Sequence, residues 1–232
     1  RGRFQCAVFD NRGVGGSSPA DRSLSVRQMA EDAGAVMDGL GWQSAHVVGH
    51  SLGGLIAQEL ALQRPTRVRS LALLCTMRRG RDIARLTPGT LWLGLRMMIG
   101  TKRMRRMASL GSIVPRALDP AIDRDQLAAE FAEIFGRDLA QQPSVSFRQV
   151  RAMAAHVASD LGPLAGIPTL VVAGDDDRIV RPALSRELAT AIVGARHVEL
   201  ANAGHAVILH DAARVNALLA EHFAAAERGD GP

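Results

Sequence analysis

The feature that most constrains this chain is a serine held between two glycines at the junction of two apolar segments. Residues 49–53 read GHSLG, after the apolar run 44–48 and before the apolar segment 54–61. This order predicts a strand, a sharp turn and a helix. A serine at such a turn adopts a strained backbone conformation that raises its hydroxyl above the sheet, and the glycines let strand and helix approach closely. Ser51 is therefore a candidate nucleophile.

A catalytic serine needs an adjacent base and an acid that orients the base, because its hydroxyl is a weak nucleophile near neutral pH. The apolar run 167–173 is typical of a buried strand, and three aspartates follow it at 175–177. The next predicted strand, 196–201, leads to His205 in a glycine-containing loop. The chain therefore carries serine, aspartate and histidine in that order, each placed after a predicted strand.

With this order of motifs, the chain resembles serine hydrolases of the α/β-hydrolase fold, in the branch of lipases, esterases and enol-lactonases. The resemblance extends over nearly the whole length. Residues 4–10 and the glycine-rich stretch 11–18 resemble the family's fourth strand and the loop after it, and residues 25–41 resemble its next helix. It implies an α/β protein with a mostly parallel, doubly wound sheet and an inserted helical cap. The alternation of strand and helix patterns independently favours such a sheet.

The resemblance also implies roles for individual residues. Ser51 is the nucleophile, His205 the general base and acid, Asp177 the orienting carboxylate, and the backbone N–H of Leu52 a donor to the oxyanion. The two aspartates before Asp177 stay open as alternative acids, although the family spacing from the strand-end glycine favours Asp177. His50, packed within the turn, is a candidate substrate-binding residue.

Other potential site residues have simpler structural interpretations. Asp10 also ends a predicted strand, but its position matches a residue that braces the following loop. The remaining histidines are interpreted as surface or packing residues: His46, His156, His197, His210 and His222.

Residues 78–160 lack a convincing strand pattern and predict a helical cap, which leaves 1–77 and 161–232 as the core. Methionines and aromatic residues in this range suit an adaptable apolar pocket wall. Trp92 and Met98 are the predicted substrate contacts, and packing between helices accounts for most of the others.

The range 78–116 is strongly basic. We interpret this range as a solvent-exposed face whose basic side chains pair with the acidic residues that follow. Contact with a membrane surface, an acidic partner or a carboxylate substrate is less favoured.

Composition agrees with one compact core, since 47% of the 232 residues are hydrophobic. No nucleic-acid motif, phosphate-binding loop or metal-ligand spacing is present, so neither a metal nor a cofactor is expected. The uncharged stretch 39–58 contains several glycines, which argues against stable membrane insertion. In the strand order that the resemblance implies, Cys6 and Cys75 lie on strands too far apart for a disulfide. Both are therefore expected to be reduced and buried, as in a cytoplasmic enzyme. The oligomeric state stays open.

The sequence departs from the family at its start. In this family, three strands and a histidine-glycine loop usually precede the strand that residues 4–10 resemble. The backbone of that loop supplies a second hydrogen-bond donor to the oxyanion. Three explanations compete: a fragment of a longer protein, direct pairing of the fourth and fifth strands, or another chain that fills the gap. The fragment is favoured, and loss of an oxyanion donor typically lowers turnover by about 10²–10³.

The predicted activity is hydrolysis of a small, apolar carboxylic ester or lactone through an acyl-enzyme intermediate. Cofactor-free haloperoxidases and carbon-carbon bond hydrolases of the same fold use the same triad and remain alternatives. A binding protein that kept the fold but lost turnover is the alternative from another class.

Overall fold

Four parallel strands form the sheet at the centre of the part of the chain that the structure describes. The structure is a computed structural model, and it describes residues 4–19, 24–84, 88–141, 143–157 and 160–229. The strands are β1 (Ala45–His50), β2 (Val68–Leu74), β3 (Thr169–Gly174) and β4 (Arg196–Leu200). They lie side by side in chain order, and every adjacent pair is parallel.

Helices connect these strands and account for most of the remaining described residues. The α-helices are α1 (Val26–Gly39), α2 (Leu52–Gln63), α3 (Pro88–Met98), α4 (Lys102–Ile113), α5 (Arg124–Phe135), α6 (Ser144–Ala155), α7 (Pro182–Ala191), α8 (Val207–His210) and α9 (Ala212–Arg228). Short 3-10 turns cover Pro65–Arg67, Gly80–Ala84 and Gly162–Leu164. Helix α1 begins as predicted, because the Ser25 side chain accepts a hydrogen bond from the Gln28 backbone N–H.

Both faces of the sheet are covered, because alternate side chains of a strand point to opposite sides. Leu71, Leu73 and Val171 pack with residues of α1, α2 and α7 on one face. Leu74, Leu170 and Val172 pack with Val207 and Val215 of α8 and α9 on the other face. The predicted parallel, doubly wound α/β architecture is therefore confirmed.

The structure corrects the prediction for the first segment of the chain. Residues 4–10 form no strand and are exposed, and the Val8 side chain is 97% exposed. Among the described strands, β1 pairs only with β2. Residues 4–10 therefore have no described neighbouring strand with which to form backbone hydrogen bonds. Cys6 is consequently exposed and not buried, whereas Cys75 is buried, and neither is in a disulfide.

A smaller correction concerns the end of the chain, where the sequence pattern of residues 208–226 predicts one helix. The structure breaks this range into α8 and α9 at Asp211, whose backbone angles, φ −139 and ψ 40, are not helical. His210 at the end of α8 accepts a hydrogen bond from the Gly204 N–H, at 3.2 Å, in the loop that carries His205.

The described residues between 78 and 160 form helices α3 to α6 and one 3-10 turn, without a strand. Basic residues of α4 pair with acids that follow, as the sequence suggested. Arg103 contacts Asp125 at 2.6 Å, and Lys102 contacts Asp138 at 3.1 Å. Among the described helices, none combines the length and the apolar character needed to cross a membrane.

Candidate active site

Ser51 occupies the turn between β1 and α2, in the strand, turn and helix arrangement that the sequence predicted. Its backbone has φ 53 and ψ −119, a conformation that non-glycine residues rarely adopt. A side chain at Gly49 is impossible here, because a Cβ atom would lie 2.2 Å from the Gly53 carbonyl oxygen. Because strand and helix approach so closely, position 49 accepts only glycine. The same close approach holds the backbone of Ser51 in its strained conformation.

Hydrogen bonds to the neighbouring strand hold this turn in place. The Ser51 N–H donates to the Leu74 carbonyl at 2.9 Å, and the Thr76 hydroxyl donates to the Ser51 carbonyl at 2.7 Å. No described backbone carbonyl accepts from the Leu52 N–H, which is the first of α2. A free N–H at a helix N-terminus can bind a developing negative charge.

Asp177 and His205 form a buried pair at the carboxyl edge of the sheet. Asp177 Oδ2 lies 2.8 Å from His205 Nδ1, while Asp177 Oδ1 accepts from the N–H groups of Ile179 and Val180, each at 2.8 Å. The two backbone donors fix the carboxylate. The carboxylate then fixes the tautomer of the imidazole, with the proton on Nδ1 and the lone pair on Nε2.

The two neighbouring aspartates have other partners. Asp175 Oδ1 accepts from the Ala203 N–H at 3.2 Å. Asp176 Oδ1 pairs with the Arg116 guanidinium, at 2.9 Å from Nε and 2.8 Å from Nη2. Of the three candidate acids, Asp177 is the one that contacts His205.

His50 links the serine turn to the histidine loop. Its Nε2 lies 2.8 Å from the carbonyl oxygen of His205, and the two ring centroids are 4.8 Å apart. Burial and, to a lesser extent, the nearby His205 together lower the pKa of His50 to about 4, so His50 is neutral near pH 7. A neutral His50 donates through Nε2 to this carbonyl.

The Ser51 side chain makes no hydrogen bond with His205 among the described residues. Contacts between nucleophile and base are commonly long in enzymes without substrate and shorten only in the reacting complex. The turn of Ser51 and the loop of His205 are connected instead through His50. This residue is next to Ser51, and its side chain contacts the carbonyl oxygen of His205.

The predicted substrate contacts Trp92 and Met98 lie in two different cavities. Trp92 is 60% exposed and lines a cavity of about 480 Å³ together with Arg178 and part of α4. Met98 is 61% exposed and lines a cavity of about 550 Å³ with Phe147. Neither cavity is lined by Ser51 or His205.

A short segment at the end of α4 and just after it, residues 113–116, contacts the loops of both Asp177 and His205. The Ala206 N–H donates to the Ile113 carbonyl at 2.8 Å, and the Arg178 side chain donates to the Val114 carbonyl at 3.1 Å. A Cβ on Gly204 would lie 2.6 Å from the Ile113 carbonyl oxygen. Sequence analysis missed this segment, because nothing in its composition indicates a contact with loops some 60 to 90 residues away.

Sequence analysis also missed the surroundings of Cys75. This residue follows β2, has φ 45, and is fully buried. Burial raises the pKa of the Cys75 thiol, and the nearby Asp177 carboxylate raises it further, so the thiol is protonated. A donor atom of His50, the Cys75 sulfur and a nitrogen of His205 all lie within 4.8 Å of one another. Only the side-by-side order of the strands brings these distant residues together.

Comparison with known proteins places this geometry in a family. A family model for the alpha/beta hydrolase fold matches residues 1–212. RutD of Azorhizobium caulinodans, a protein named for carbamate hydrolysis, is 31% identical over 211 residues, which cover 88% of this chain and 75% of the relative.

Solved structures give the same assignment. Est816, described as an N-acyl homoserine lactone degrading enzyme, has a TM-score of 0.73 and 27% identity, covering 91% of this chain and 80% of its own. BpoC of Mycobacterium tuberculosis H37Rv, named as a non-heme bromoperoxidase, has a TM-score of 0.76 and 24% identity. Its alignment covers 94% of this chain and 80% of the BpoC chain, and at this identity it supports the fold alone.

Proposed function

This chain belongs to the α/β-hydrolase family, and we propose that it is a serine hydrolase that cleaves a carboxylic ester or a lactone. The observation that carries the proposal is the Asp177–His205 pair, at 2.8 Å, beside a serine with positive φ at the end of β1. This combination supplies an oriented imidazole base and a serine hydroxyl at the same edge of the sheet.

In the proposed reaction, His205 Nε2 takes the hydroxyl proton of Ser51 as the serine oxygen attacks the substrate carbonyl. Asp177 keeps the imidazole oriented and stabilises the imidazolium that forms. The N–H of Leu52 stabilises the tetrahedral oxyanion. His205 then protonates the leaving alcohol, and water, activated by the same imidazole, releases the acid from the serine.

The choice of ester or lactone has support from the relatives. Est816 is described as an N-acyl homoserine lactone degrading enzyme, and RutD is named for carbamate hydrolysis. Lactones and carbamates both contain a carbonyl carbon that a serine hydroxyl can attack. Serine attack on such carbonyls needs no metal or cofactor. We propose an apolar small molecule as the substrate, with the helices in 78–160 acting as a cap over the core.

A second candidate is cofactor-free perhydrolysis, in which peroxide replaces water in the second step. The observation that favours it is the relative BpoC, named as a non-heme bromoperoxidase and 26% identical over 234 residues in Mycobacterium tuberculosis H37Rv. Measuring bromination with hydrogen peroxide and a carboxylic acid, beside ester hydrolysis, separates the two activities.

The test is a panel of short-chain and long-chain esters and lactones, measured with wild type, Ser51→Ala and Ser44→Ala. Ser44 is an exposed serine just before β1 and serves as the matched control. We expect Ser51→Ala to lower kcat by about 10⁴–10⁶, because the nucleophile is lost, and Ser44→Ala to leave it unchanged. Turnover of every substrate by Ser51→Ala at the wild-type rate would contradict the proposal. A folded wild type that is inactive on the whole panel would favour a binding protein.

A further inference from the structure

We propose that His50, Cys75 and His205 form a binding site for a soft divalent metal ion such as Zn²⁺, and that the bound ion inhibits the hydrolase. The site lies at the carboxyl edge of the sheet, where one donor atom from each residue lies within 4.8 Å of the other two. Metal binding does not rest on the proposed function, whereas inhibition does.

The donor set matches the preference of zinc. Two imidazole nitrogens and one thiolate sulfur are ligands that Zn²⁺ binds tetrahedrally, and a set of three protein ligands leaves a fourth position open. His205 offers the lone pair of Nε2, because its Nδ1 contacts Asp177. His50 offers Nδ1, because its Nε2 contacts the carbonyl oxygen of His205. The thiol of Cys75 binds as thiolate and releases its proton.

The distances need only a modest adjustment. Zinc bonds of about 2.0–2.3 Å at tetrahedral angles place donor atoms roughly 3.5 Å apart. Because no two of the donors lie more than 4.8 Å apart, each pair closes by at most roughly 1.3 Å on binding the ion. His50 ends β1 and Cys75 follows β2, the strand paired directly with β1, so both donors start from neighbouring backbone positions.

Asp177 strengthens the site as an outer partner. When His205 binds the ion through Nε2, its Nδ1–H still donates to Asp177, as it does at 2.8 Å in the metal-free protein. A carboxylate in this position orients a metal-bound histidine and raises its basicity. The arrangement that prepares His205 to accept a proton therefore also prepares it to bind a metal.

The same geometry explains why the ion would inhibit. The metal occupies the Nε2 lone pair that His205 needs to take the proton of Ser51. Because Cys75 is fully buried and His205 nearly so, the ion enters only after local opening. We therefore expect inhibition that develops over time and that a chelator reverses.

Co²⁺ is the probe for binding, because a thiolate ligand gives it a sulfur-to-cobalt charge-transfer absorption. The measurements use the full chain carrying Cys6→Ser, so that the exposed cysteine cannot bind cobalt. We expect the charge-transfer band in this background and its displacement by Zn²⁺. Adding Cys75→Ser should abolish the band and weaken Zn²⁺ binding, measured by calorimetry, by about 10–100-fold or more, since loss of an outer partner alone has that effect. His50→Gln provides a second variant with the same expectation for affinity.

The absence of a charge-transfer band in the folded Cys6→Ser protein would overturn the metal site, as would unchanged Zn²⁺ affinity in folded Cys75→Ser. Inhibition is measured separately, as hydrolysis and as reaction with a fluorophosphonate after incubation with Zn²⁺. Cys6→Ser should lose both activities with time and Cys75→Ser should resist. A band in a protein that never reacts with fluorophosphonate would reject the serine-hydrolase proposal and the claim of inhibition, and would leave metal binding supported.

Discussion

Backbone strain in this protein is concentrated at single residues beside the candidate site. Among the described residues, three non-glycine residues have positive φ: Ser51 at 53°, Cys75 at 45° and Asn202 at 55°. Ser51 follows β1, Cys75 follows β2, and Asn202 lies just after β4. Each conformation costs of order 1–3 kcal/mol and persists where surrounding structure enforces it, which is common at functional sites. The strained residues therefore lie at the edge of the sheet that carries the candidate catalytic residues.

The three consecutive aspartates provide an internal comparison at the same scale. We predict that Asp177→Asn lowers kcat by about 10³–10⁴, because an amide cannot hold the Nδ1–H tautomer of His205. Asp175→Asn is the matched control, since Asp175 contacts the Ala203 N–H and not the imidazole. Steady-state kinetics on the best ester of the panel measure both variants. Similar losses of kcat in the two variants would contradict the assignment of Asp177 as the orienting acid.

Individual residues also show how far sequence reasoning reaches. The spacing after the strand-end glycine favoured Asp177, and the structure places Asp177 and not its neighbours against His205. Cys75 had no comparable signal, because its position in the sequence does not indicate which strand lies next to β1. The proximity of a thiol to the two histidines depends on strand order, which the folded sheet supplies.

Among the structural elements, the segment 113–116 connects the helices of 78–160 to both catalytic loops. Its carbonyl groups accept from the Ala206 N–H and the Arg178 side chain, and Arg116 pairs with Asp176. The segment packs directly against Gly204, the residue before His205. The position of the imidazole therefore depends on the end of α4 as well as on the core strands.

This contact predicts the effect of a small change at Gly204. We expect Gly204→Ala to displace the His205 loop and to lower kcat by about 10²-fold with little change in KM, because a misplacement of one ångström is sufficient for such a loss. Gly166→Ala is the control, since a Cβ there has no neighbour within 4 Å. Kinetics and thermal melts of both folded variants measure the effect. A kcat for Gly204→Ala equal to that of Gly166→Ala would reject the positioning role of the segment.

Element boundaries show a second limit of prediction from sequence. Helix α1 follows from its apolar spacing and its Ser25 cap, both of which are local features. Residues 4–10 have an equally apolar pattern, yet they form no strand, because a strand needs a paired neighbour and none is described beside them. Local patterns therefore predicted the helix, whereas strand formation depended on pairing.

For the molecule as a whole, alternation of strand and helix was sufficient to predict a parallel, doubly wound sheet. The prediction succeeded because parallel strands need crossover helices, which leave a regular pattern in the sequence. The outer edge of the sheet is partly exposed. There, Val48 of β1 is 45% exposed and lines an apolar cavity of about 260 Å³ with Val8 and Phe9.

The measurement that tests the central claim most directly is mass spectrometry of the intact and digested protein after reaction with a fluorophosphonate. Only a serine activated by an oriented imidazole reacts readily with this reagent. We predict a single adduct on the peptide that contains Ser51, with the reaction strongly slowed in His205→Ala. A folded protein that forms no adduct, or that forms it on another serine, would contradict the account.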